Sequence, residues 1–122
     1  MNEVRRYRKL EEFFDKLVEK TVISDKIGTT LATLAAECDY QTRVVVDTSN
    51  EISVELAKFA SQVKNFGALH SSPSGYSRFN LLEARVQVLE ANIRSLVRMI
   101  KVVLTGEALV TAVNIIDGKS AD

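Results

Sequence analysis

The sequence predicts an all-α fold, in which a long antiparallel helical hairpin of coiled-coil type carries a shorter N-terminal helix at one end. The main observation is a run of eight apolar residues whose steps alternate between three and four positions. That spacing is typical of the packing seam of a coiled coil or a slender helical bundle. The run consists of Phe79, Leu82, Val86, Leu89, Ile93, Leu96, Ile100 and Val103. A second apolar stripe at helical spacing occupies residues 27–66, and turn-forming residues separate the two at 67–75.

A first helix is predicted over residues 2–21, because its apolar residues fall on one helical face. That face is formed by Val4, Tyr7, Leu10, Phe14, Leu17 and Val18. Asn2 can serve as the N-cap of this helix. Residues 22–28 then form a corner, at which Ser24 or Asp25 can cap the next helix.

The second segment, about residues 25–66, is either one helix of about 60 Å or two helices joined near Asp47, and we favour the single helix. Val44–Val46 is a β-branched triplet that could form a short strand by itself. A lone strand has no partner with which to pair, and the flanking periodicity is helical. We therefore expect helix through the triplet.

Two polar positions interrupt the stripe of the second segment, at Gln41 or Thr42 and at Thr48 or Ser49. A polar residue in the seam of a coiled coil lowers stability while it fixes register and oligomeric state. We therefore expect at least one of Gln41 and Thr48 to be buried, and leucine at both positions to raise the melting temperature. The alternative is that the segment bends there and both side chains face water.

The third segment, about residues 76–116, is predicted as helix after the loop at 67–75 and is either continuous or interrupted at Gly106. If the two long segments fold back on each other across the loop, their apolar stripes match in length only when the third segment stays roughly helical through Gly106. That match supports a helical hairpin. The pairs expected in that register are Phe66 with Phe79, Leu56 with Leu89, Val45 with Ile100 and Ile27 with Ile116.

Oligomerisation is expected because the first helix is only half as long as the hairpin. We treat residues 1–122 as a single helical domain, in which the first helix covers the hairpin end near the corner. The loop end is then a bare pair of helices, which buries too little surface to be stable alone. A second copy or another helical protein would complete it. The predicted packing and oligomer seam comprises Ile52, Leu56, Phe59, Val63, Phe79, Leu82, Val86, Leu89, Ile93, Leu96, Ile100 and Val103.

Catalytic, cofactor-binding and metal-binding residues are not expected. His70 is the single histidine and has neither a paired nucleophile nor an orienting carboxylate nearby in the sequence. Cys38 is the single cysteine and lies in an apolar stripe, which is typical of a small buried core residue. The sequence contains no di-metal or zinc-protease motif and no glycine-rich phosphate loop. We therefore predict that the chain is not an enzyme.

The basic cluster Arg5, Arg6, Arg8 and Lys9 is the one candidate anion contact. It could bind phosphate or an anionic lipid, and it supports the alternative function of a small nucleic-acid-binding or regulatory protein. A solvated first turn is the favoured interpretation, because acidic residues follow at once and the formal net charge of the chain is zero.

The predicted function is therefore that of a structural, assembly or adaptor subunit, which acts through helix–helix contacts with itself or with another helical protein. The most apolar stretch, Met99–Ile116, is interrupted by Lys101, Glu107 and Asn114, so we expect no transmembrane segment. No apolar stretch of the signal-peptide type follows Met1. We therefore expect a cytoplasmic or otherwise intracellular protein.

Overall fold

A computed structural model describes residues 2–66 and 73–119, and over these residues the all-α prediction is confirmed. These described residues form four helices: α1 (Asn2–Glu19), α2 (Asp25–Phe66), α3 (Pro73–Val103) and α4 (Gly106–Ile116). The described residues include no strand, and Val44–Val46 are helical. Residues 67–72 of the predicted loop, with His70, lie outside the described part, as do the side chains of Arg5 and Val63. Helix α3 already begins at Pro73, since proline is well suited to a first helical turn.

Helix α1 ends in a Schellman motif at the predicted corner. The Val22 amide donates to the Leu17 carbonyl over 2.9 Å, and the Thr21 amide donates to the Val18 carbonyl over 3.0 Å. Thr21 therefore occupies the left-handed position, with a φ of 57°. Helix α2 then starts with the Ser24 side-chain oxygen as the N-cap, which accepts from the Ile27 amide over 3.1 Å. The chain thus reverses between α1 and α2 through local hydrogen bonds.

We expect Thr21→Gly to raise the free energy of unfolding by about 1 kcal/mol. A β-branched residue pays a steric cost in the left-handed region that glycine does not pay, and Thr21 is exposed. The matched control is Ala84→Gly in the exposed interior of α3, which should lower stability by about 1 kcal/mol. Denaturant unfolding of both variants checks the prediction. Equal losses of stability in the two variants would contradict the left-handed assignment at Thr21.

The core lies at the corner end of the molecule, where α1 packs on α2 and α4 packs on α1 and α3. Its buried side chains come from all four helices and from the connections α1–α2 and α3–α4: Tyr7, Leu10, Phe14, Leu17, Ile23, Leu31, Ala35, Cys38, Leu96, Ile100, Leu104, Ala112, Ile115 and Ile116. Helices α1 and α2 approach closely at Gly28, where an added methyl group would overlap Cγ2 of Val18. Small residues are therefore required at this crossing.

The chain breaks after α3, so of the two alternatives left open for the third segment the structure shows the interruption at Gly106. Leu104 is buried and Thr105 is extended, and Gly106 has a φ of 58°. That left-handed conformation favours glycine and permits the chain to turn. Helix α4 consequently packs on α1 and α3 instead of extending along α2, and the expected pairing of Ile27 with Ile116 along one hairpin is wrong.

The register expected between α2 and α3 is also wrong. Arg78 of α3 pairs with Glu51 and Glu55 of α2, at 3.5 and 3.7 Å. The expected pairing of Phe66 with Phe79 would instead place Arg78 about three to four turns farther along α2. Apolar residues that recur every three or four positions fit several registers equally well, so specific polar contacts select one of them.

Candidate interaction surface

The predicted seam is buried at one end and open at the other. Leu96 and Ile100 are completely buried in the core, and Ile52 of α2 is buried as well. In contrast, Leu56 and Phe79 remain 50% and 49% exposed. The other described members are half-buried: Phe59, Leu82, Val86, Leu89, Ile93 and Val103. Burial therefore falls off from the end covered by α1 towards the loop between α2 and α3.

An open groove follows α3 in the uncovered half. Its apolar part is formed by Phe79, Leu82 and Val86, which recur at steps of three and four and so lie on one flank of the helix. Its polar rim is formed by Asn80, Glu83, Gln87 and Glu90. This apolar surface with a charged rim has the composition expected of a helix-binding groove.

The opposite edge of the α2–α3 contact is polar. Besides its pairs with Arg78, helix α2 presents Thr48, whose buried hydroxyl accepts a hydrogen bond from Arg85. The same hydroxyl donates to the Val44 carbonyl over 2.8 Å. The expectation that at least one of Gln41 and Thr48 is buried is therefore confirmed for Thr48. Arg78 and Arg85 are not among the predicted site residues, although their separation by seven residues places both on one face of a helix.

The bond to Arg85 reverses the stability change expected from an apolar residue at position 48. We expect Thr48→Val to lower the free energy of unfolding by about 2 kcal/mol, because a half-buried guanidinium loses its acceptor. Thr42→Val is the matched control, since the buried Thr42 hydroxyl donates only within its own helix, to the Cys38 carbonyl. Its effect should be several-fold smaller in thermal and denaturant unfolding. Equal effects at both positions would show that the contact with Arg85 contributes nothing.

The basic cluster is divided between the interior and the solvent. Arg8 and Lys9 are exposed, whereas Arg6 is half-buried under the C-terminal turn of α4. A methyl group added at Gly118 would lie only 3.1 Å from Nη2 of Arg6. A guanidinium in this place is favoured by the partial negative charge of the helix C-terminus. Of the four predicted anion contacts, therefore, two side chains face solvent and one faces the fold.

A second groove, between α1 and α2, is acidic. Carboxylates of Glu11, Asp15, Glu19 and Asp25 line it beside small residues of α2. Burial, and then the negative charge of Asp39, raise the pKa of the Glu11 carboxyl. Asp39 is itself buried and accepts from Arg43 over 2.8 Å. The closeness of the Glu11 and Asp39 carboxylates is a feature of how α1 packs on α2.

Cys38 is completely buried in the core, as expected from its position in the apolar stripe. Burial, followed by the charge of Glu37, raises the pKa of its thiol to about 11. The thiol therefore stays protonated at neutral pH, and nucleophilic or redox chemistry at this position is disfavoured.

Comparison with other proteins does not connect the chain to a known group. No known family model matches it, and no match is found among curated proteins or solved structures. Within residues 2–66 and 73–119, no three metal-ligating side chains come together to hold an ion. None of the helices in this part of the chain combines the length and the apolar character needed to cross a bilayer.

Proposed function

We propose that this chain is an assembly or adaptor subunit that acts through helix–helix contacts, with a second copy of itself as the first partner. In this proposal α2 and α3 form an antiparallel, coiled-coil-like hairpin, and the uncovered half of its seam is the binding surface. The supporting observation is the half-exposure of Leu56 and Phe79 at the open end of a seam whose other end, at Leu96 and Ile100, is completely buried.

The contacts between α2 and α3 support the hairpin. As the chain advances along α3 from Arg78 to Arg85, its partners on α2 move backwards, from Glu51 and Glu55 to Thr48. Opposite directions of this kind are expected for antiparallel helices joined by a short connection. The charged pairs are largely exposed and contribute little stability each. Apolar contacts must therefore supply most of the free energy that holds α2 against α3.

Energetic considerations favour self-association through the open seam. Complete burial of a large apolar side chain contributes about 1.5–3 kcal/mol, and Leu56 and Phe79 realise only part of this within one chain. The formal net charge of zero provides no long-range repulsion between copies. Two paired hairpins would place four helices around the seam, which is a common stable cross-section.

The test compares two double variants of the same chemistry. The groove variant, Leu56→Asp with Phe79→Asp, introduces charge at the open end of the seam, where Phe79 lines the groove, whereas Val54→Asp with Val102→Asp introduces it at exposed positions elsewhere on the same two helices. Mass is measured by light scattering across a range of concentrations, with circular dichroism as the folding control. We expect the wild type and the valine variant to associate, and the groove variant to remain a folded monomer. A wild type that stays monomeric throughout would overturn the proposal of self-association.

The alternative of nucleic-acid binding relies on Arg8 and Lys9, the two exposed members of the basic cluster whose side chains are described. Two basic residues release few counterions, so they predict weak binding with a shallow salt dependence. A gel shift at several salt concentrations tests this alternative, and a steep loss of binding with salt would support it over assembly.

A further inference from the structure

Helix α3 carries a stripe of charge that changes sign at its middle. Glu83 and Glu90 precede Arg94 and Lys101, and all four are exposed. At 100° per residue, these four positions fall within an arc of about 40° on the helix surface. Arg98 lies at the edge of the same stripe and adds to its basic half. The first half of the stripe is therefore acidic and the second half is basic.

The charges of this stripe are not used within the fold. Across the described residues, Glu83, Glu90, Arg94 and Lys101 take part in none of the ion pairs, which use Arg43 and Arg78 instead. The stripe also borders the open groove, because Glu83 and Glu90 form part of the groove rim. Its charges are thus available to a partner that occupies the groove.

We propose that two copies of the chain pair through the charged stripes of α3 in antiparallel orientation. The two-fold axis crosses the stripe at the level of Asn92 along the helix. This inference rests on the self-association proposed above. Glu83 and Lys101 are equally distant in sequence from Asn92, and so are Glu90 and Arg94. In an antiparallel two-fold contact, a residue before the axis faces the residue that lies equally far after the axis in the other copy. Glu83 then faces Lys101 of the second copy, and Glu90 faces Arg94 of the second copy.

The sign change selects this orientation and this partner. In a parallel contact each charged residue would face the same residue of the second copy, which places like charges opposite each other along the whole stripe. An unrelated acidic or basic helix would match only one half of the stripe. Val86 and Val97 are half-buried and lie beside the stripe. Together with Phe79 they supply apolar surface for the contact, and the ion pairs set the orientation of the two copies.

The experiment exchanges charges between copies. Variant one carries Glu83→Lys and Glu90→Lys, which makes positions 83, 90, 94 and 101 all basic. Variant two carries Arg94→Glu and Lys101→Glu, which makes the same four positions all acidic and leaves Arg98 at the edge of the stripe. We expect each variant alone to self-associate more weakly than the wild type, on the order of tenfold or more at low salt. An equimolar mixture should form heterodimers, because every basic residue of one variant then faces an acidic residue of the other.

A matched control combines all four substitutions, which makes the first half of the stripe basic and the second half acidic. This variant should self-associate like the wild type, and circular dichroism should show unchanged helix content in every sample. The inference is overturned if both charge variants associate as the wild type does, or if they are weakened and the mixture is not restored. Should the charge variants behave as wild type while Leu56→Asp with Phe79→Asp remains monomeric, self-association stands and only the antiparallel α3 contact fails.

Discussion

We expect Leu96→Asp to abolish cooperative folding of the chain. Leu96 has no exposed surface, and it lies in the core, where α3 packs on α2 and α4. An unpaired carboxylate in this environment costs several kcal/mol, which is comparable to the total stability of a small domain. Circular dichroism should show low helicity, and denaturant titration should show no transition. The effect should not depend on protein concentration, because this part of the seam is buried within one chain.

Val88→Asp is the matched control for that experiment. Val88 lies on the same helix and is 47% exposed, so its carboxylate stays in water. We expect a change within about 1 kcal/mol, which reflects the lower helix propensity of aspartate and some lost packing. Similar melting curves for the two variants would contradict the placement of Leu96 in the monomer core.

Gly28→Ala should lower the free energy of unfolding by about 1–3 kcal/mol. Helix propensity alone predicts the opposite, since alanine is favoured over glycine by about 1 kcal/mol in a helix interior. The added methyl group overlaps Val18 Cγ2, however, so either the Val18 side chain must rotate or α1 must move away from α2. Either change loosens the packing of Leu17 and its neighbours in the core. Thermal and denaturant unfolding measure the change.

The double variant Gly28→Ala with Val18→Ala removes the obstructing side chain. Val18→Ala alone should be destabilising, because Val18 packs against the core. Together the two substitutions should cost clearly less than the sum of their separate effects, which is the signature of residues in direct contact. Strict additivity, or a stabilising Gly28→Ala, would show that the close approach of α1 and α2 does not limit stability.

Much of the fold could be predicted from local patterns. The spacing of apolar residues identifies the helices, since a turn of 3.6 residues makes apolar residues recur every three or four positions. The N-cap at Ser24 could also be read directly, because capping depends on residues three positions apart. The burial of Cys38 and Thr48 follows from their places in an apolar stripe. These features depend on near neighbours in the chain.

The candidate interaction surface was predicted only in part. The sequence places the predicted seam residues on one stripe, but the stripe does not show that Leu96 is covered by the fold while Phe79 is half-exposed. That difference depends on how far α1 reaches along the α2–α3 pair. The charged positions of α3 can be identified in the sequence. Only the structure shows that α3 contacts α2 through Arg78 and Arg85 and not through these charges.

The sequence by itself determined that the chain is helical and where its first two helices begin, because these depend on periodicity and on local hydrogen bonding. Only the tertiary structure decided the register of α2 on α3, the turn of α4 at Gly106 and the inward position of Arg6. A heptad stripe fits several registers with similar apolar burial, so the choice depends on polar contacts between residues far apart in the chain. A glycine permits a left-handed turn without requiring one, and packing of α4 on α1 provides the energy that selects it.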